Sequence, residues 1–139
     1  MIEIKKIEFE DKVYALYFDV KNTPKGLSFI SDDEDFIQVG MWNYDAKKIL
    51  PAHYHCEFTR ESTRTCESVY VVKGKVRCNI YTKTGSHIDS FDLKDGEMAI
   101  QLYGVHEYEI LEEALVIENK NGPYFGPEKD RKRIDVKKN

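Results

Sequence analysis

The chain has 139 residues, 41% of them hydrophobic, and a net charge of −4, which suits one domain built round one core. That acidic balance argues against a general nucleic-acid binder, which needs a basic surface to meet phosphates. No apolar run approaches the ~20 residues of a membrane span, and the opening "MIEIKKIEFEDK" alternates charged with apolar residues as no signal peptide does.

From the start of the chain, apolar segments are short, alternating and rich in Val, Ile, Tyr and Phe. "IEIKKIEF" (2–9) and "VYALYFDV" (13–20) flank "EDK" and predict a hairpin. "NTPKG" (22–26) reads as a loop and "SDDED" (31–35) as a charged turn. "FIQVGMWNY" (36–44) and "KKILPAHYH" (47–55) predict two strands around "DA". "ESVYVVK", "KVRCNIYT", "HIDSFDL", "EMAIQLY", "VHEYEIL" and "ALVIENK" follow, broken by "KG", "KTGS", "KDG", "G" and "EE". About ten short strands at regular spacing, with no long helical period, indicate an all-β sandwich or barrel. No internal repeat and no linker divides residues 1–139, and the tail "PEKDRKRIDVKKN" (127–139) is polar and expected to pack loosely or fray. Cys56, Cys66 and Cys78 show no CxxC spacing and predict free thiols in a reducing cytoplasm. Cys78, alternating with Val76 and Ile80, reads as a small buried hydrophobe, and Cys66 beside Arg64 is the one hint of an activated thiol.

His53 and His55 stand one residue apart. On a strand such a pair shares a face, and inward-facing imidazoles need partners. With them, Glu67-"SVYVVK"-Gly74 and Gly96-"EMAIQLY"-Gly104-Val105-His106 resemble the two motifs of the cupin superfamily of small β-barrels. The likeness covers residues 36–120, and the later "NGPYFGPEKD" (121–130) is similar to an element of small single-domain cupins of poorly defined function. Lys47 and Leu102 stand where those motifs carry Gly and Pro. Eleven residues separate His55 from Glu67, and a single residue separates Gly104 from His106. A one-residue deletion flips strand faces unless a bulge or tight turn at Gly104 absorbs it.

The resemblance implies a double-stranded β-helix (jelly-roll) with His53, His55, Glu67 and His106 as ligands of a divalent metal. Three imidazoles and one carboxylate suit Fe, Mn, Ni, Co, Cu or Zn, and ligand type does not choose among them. It also implies a homodimer formed through the N-terminal strands of residues 1–35. Strand continuation makes Glu57 a candidate acid or base, and Tyr108, two residues past His106, should share its face. Arg60 and Arg64 in the long loop form a candidate anion clamp. His87, after "KTGS", is expected at the surface at the start of a strand.

These readings converge on a cytoplasmic protein with a small-molecule partner and neither nucleic acid nor membrane as partner. The first expectation is a metal-dependent isomerase or epimerase acting on a small polar or anionic substrate such as a sugar derivative. The others are a non-catalytic small-ligand-binding cupin and a metal-dependent dioxygenase.

Overall fold

Eight strands and two short helical turns make up the regular structure of residues 1–137, which the computed structural model describes. The final two residues of the expected polar tail lie outside this range. Strands β1 (Lys5–Phe9) and β2 (Lys12–Asp19) form the expected antiparallel hairpin. Its turn places Glu10 and Asp11 at φ 47° and 60°, the left-handed pair that matches the twist of a two-residue hairpin. A 3-10 turn, Val20–Asn22, precedes β3 (Gly26–Phe29) and β4 (Gly40–Asn43), which pair with each other as a separate sheet. Then come β5 (Glu67–Tyr81), β6 (His87–Lys94), β7 (Glu97–Gln101), β8 (Val105–Lys120) and one helical turn, Pro127–Asp130.

Two of the anticipated strand breaks are bends instead. The "KG" at 73–74 lies inside β5, and the "EE" at 112–113 lies inside β8. Gly74 takes φ 102°, and the β5–β8 pairing shifts register between Val71 and Val76. A bulge of this kind bends and twists a strand without ending it. Each strand therefore serves two layers. Residues 67–71 of β5 pair with the last part of β8 and with β7, and so join β1 and β2. Residues 75–81 pair with β6 and with the first part of β8. The fold is all-β and antiparallel, in keeping with a barrel-like arrangement.

Between the layers, Ala15, Val69, Val71 and Ala99 meet Val76, Cys78, Ile80 and Leu93 in one core. Tyr17 and Phe91 stack across it with centroids 4.1 Å apart. The opposite face of β2 and β7 carries Leu16, Phe18 and Ile100, which Ile30, Ile37 and Val39 cover in a second core. β7 is thus covered on both faces, so its apolar run does not alternate.

The expected strand over 47–55 is absent: residues 44–66 form no strand. Pro51 removes a ladder donor and restricts Leu50 before it, while Ile49 and Tyr54 are exposed, at 80% and 85%. With no apolar face buried, a strand here has nothing to pack against. The tail is anchored rather than frayed over its described part, with Lys137 N–H donating to Gly85 O at 2.9 Å. His87 begins β6 as expected, but it is half-buried, with Nε2 2.8 Å from Ser90 Oγ. All three cysteines are free thiols, Cys66 and Cys78 buried and Cys56 exposed. Among the described residues, no helix is long and apolar enough to cross a membrane.

Candidate functional site

Glu67 opens β5 on the interior face, two residues before Val69. Tyr108 and His106, on β8, stand opposite Cys78 and Ile80; Tyr108 is half-buried, and His106 lies at the exposed edge of the same face. The bend at Gly74 folds the two halves of β5 over each other, so Glu67 meets side chains from the other layer. Its Oε1 accepts the Tyr108 hydroxyl at 2.8 Å and lies 3.0 Å from His106 Nε2. Gly104, at φ 78°, supplies the tight turn that restores strand phase before His106. Three of the residues expected at a site thus come together.

Burial pushes the Glu67 carboxyl up, but hydrogen bonds from His106, from Glu118, whose own carboxyl is raised in return, and from Tyr108 outweigh it and hold the group at about 2. Burial, then the Glu67 charge, pushes the Tyr108 hydroxyl well above its usual range. Glu67 is therefore a fixed anion and Tyr108 a fixed proton donor, a pairing better suited to holding a molecule than to moving its proton near neutrality. Cys78 below them is pushed up to about 12, chiefly by burial and then by Glu67, which leaves an unreactive thiol. Burial also raises Cys66, against the opposing pull of Arg64, and its Sγ donates to Leu102 O at 3.5 Å. The thiol beside Arg64 is therefore buried and not activated.

The residue that sequence reasoning missed is Gln101. It ends β7, pairs with Glu67 across the ladder and is 3% exposed. Neither its Nε2 nor its Oε1 is in good hydrogen-bond geometry, and beside it stands Tyr108, whose upward shift a loose hydrogen bond from Gln101 tempers. A buried amide left in this state costs roughly 1–3 kcal/mol. The signal in the sequence is the run Ala99-Ile100-Gln101-Leu102, one polar residue inside a strand otherwise apolar on both faces.

Gln101 and His106 line a cavity of about 110 Å3, rimmed by Arg64, Lys83 and Tyr103. Arg64 is fixed by its Nε donating to Leu102 O at 2.9 Å, with its guanidinium over Phe36 and Tyr103. Lys83 Nζ lies 4.9 Å from the Tyr103 ring centroid and Lys12 Nζ lies 4.3 Å from it, with Lys12 also donating to the Tyr103 hydroxyl at 3.1 Å. Lys12 is the chief cause of the lowered Tyr103 pKa. Among the described residues, none of these three cations forms an ion pair. Asn121, from "NGPYFGPEKD", braces this wall, its Oδ1 accepting Cys66 N–H at 2.7 Å and its Nδ2 donating to Ser62 Oγ at 2.8 Å.

The other expected site residues lie elsewhere. His53 and His55 are exposed in the irregular segment, with rings 5.1 Å apart and His53 Nδ1 2.9 Å from Pro51 O. The shared-face argument for this pair loses its premise, because no strand forms there. Glu57 is exposed on the same segment, and Arg60 is exposed with its guanidinium 3.8 Å from the Phe58 ring centroid. Of the two arginines, only Arg64 lines the cavity. Among the described residues, no three His, Cys, Asp or Glu side chains are grouped so as to hold one metal ion. As placed, the four expected ligands form two separate pairs and do not fit a single ion. No family model, curated protein or solved structure matches the chain.

Proposed function

We propose that this chain is a small-molecule-binding protein of cupin type. Its ligand is a small polar anion, such as a hydroxycarboxylate or sugar phosphate, held between the two layers. The observation that carries this reading is the cavity beside the buried Gln101 and its neighbour Tyr108, rimmed by Arg64 and Lys83, neither of which forms an ion pair among the described residues. Arg64 and Lys83 would meet the charge of such a ligand, and the Gln101 amide, closed off from the cavity as it stands, would turn toward it to bond the ligand's polar groups. The Tyr108–Glu67–His106 contacts set the shape of the base. Calorimetric titration with hydroxycarboxylates and sugar phosphates is expected to find a binder that also raises the melting temperature. Lys83→Met should weaken that binding about tenfold, the size of one lost charge-assisted contact. If neither class binds at millimolar concentration, the proposal fails.

A second reading, a metal-dependent isomerase, epimerase or oxygenase, is favoured by the 3.0 Å contact of Glu67 with His106. These are the two strand-borne residues named by the cupin resemblance. It requires the segment bearing His53 and His55 to deliver both imidazoles to that pair. Metal analysis of protein purified without chelator separates the readings. One equivalent of metal, lost in His106→Ala and in the His53→Ala/His55→Ala double variant, supports the second. Less than about a tenth of an equivalent, with no uptake on titration, removes it, since a resident metal would stabilise the fold that holds it.

A further inference from the structure

A larger cavity, about 450 Å3, lies against β1 and β2 beneath residues 30–35, and adjoins the smaller one at Arg64, Leu102 and Tyr103. Its volume falls in the range of sites that take small organic ligands. Leu16, Ile30 and Leu102 line it with apolar surface, and all three are buried. Charged groups of both signs face the same space: Lys6, Lys12 and Arg64 on one hand, Asp32 and Asp35 on the other. Among the described residues, none of the five is in an ion pair. Asp35 Oδ2 accepts the Asp32 backbone N–H at 2.8 Å. Cations and carboxylates that share one cavity without closing on each other leave room for a molecule that answers both.

We propose that this cavity is a second binding site, for a small zwitterion with an apolar body such as an aliphatic or aromatic amino acid. The ligand carboxylate meets Lys6 and Lys12, its ammonium meets Asp32 and Asp35, and its side chain covers Leu16 and Ile30, while Arg64 stands between this site and the anion site. The charges give specificity and the apolar lining gives affinity. A lone fatty-acid-type anion would leave Asp32 and Asp35 facing its charge, and a lone amine would face the two lysines.

Titration of the full-length protein with leucine and phenylalanine, followed by methyl and amide NMR, tests this. Saturable shifts are expected at Leu16 and Ile30, which line this cavity and not the smaller one. N-acetyl-leucine and leucine amide, each lacking one charge, should bind at least about tenfold more weakly, and Asp32→Asn and Lys6→Met should each weaken leucine about tenfold. Equal binding of the parent and either blocked derivative would overturn the assignment, as would no shifts with either amino acid at millimolar concentration. Shifts confined to Gln101 and His106 would also overturn it, while leaving the anion site intact.

Discussion

Gly74→Ala is expected to lower stability by about 3–5 kcal/mol, through a left-handed backbone penalty and a steric clash that adds to it. A Cβ built at Gly74 would sit 2.2 Å from the carbonyl oxygen of Glu113 and 2.7 Å from Ala114 Cα. Both are backbone atoms of β8, so no side chain can swing aside. Gly26 is the matched control. Its φ, 104°, is nearly that of Gly74, at 102°, yet its Cβ would meet nothing within 4 Å. Gly26→Ala should therefore show the conformational penalty alone, about 1–2 kcal/mol. Urea unfolding of both variants reads the difference directly. Equal losses would mean that β5 and β8 do not approach closely at the bend. The functional consequence follows from the same geometry. Easing the bend separates Glu67 from Tyr108 and His106, because only the folded-over strand brings them together.

How far the sequence reveals this arrangement depends on which forces each residue answers to. The β1–β2 hairpin is legible because alternation and the turn at Glu10-Asp11 are local signals. The burial of Cys78 is legible for the same reason, whereas the long-range meeting of Glu67 with His106 and Tyr108 is foreshadowed only by the resemblance of their motifs to those of cupins. The bends at Gly74 and Glu112-Glu113 are not, because a glycine between two apolar runs reads equally as a hairpin or as a bulge. Only the pairing of β5 with β8 decides between them. Residues 47–55 fail differently. Alternation there mimics a strand, but strand formation needs a buried face and an open ladder, and Pro51 and the exposed Ile49 and Tyr54 supply neither. The cavity rim is illegible for a third reason. Arg64, Lys83 and Tyr103 come from an irregular segment and two turns, and no spacing rule connects them. Arg64 was visible as a charged residue in a long loop. Its separation from Arg60 was not.

Gln101→Met is expected to act in opposite directions on stability and on binding. Methionine nearly matches glutamine in volume and shape, so the β7 backbone, held between Ala15 on β2 and Glu67 on β5, has no reason to move. Removing two buried polar atoms without well-formed hydrogen bonds should stabilise the ligand-free protein by about 1–2 kcal/mol, the desolvation cost no longer incurred. The same change should weaken the polar anion by about 100-fold, because a site built to hydrogen-bond a ligand loses both contacts at once. The opposed signs make the test informative. A residue retained for packing would lose stability on substitution and leave binding alone. A residue held in strain for a ligand gains stability and loses binding. Chemical denaturation of the ligand-free variant and calorimetry on the best anion give the two numbers independently. If Gln101→Met instead destabilises the protein, the amide is already satisfied in the ligand-free state, through Tyr108 or bound water. The cavity then loses the polar demand that marks it as a binding site, and Arg64 and Lys83 become a solvated rim over a closed base.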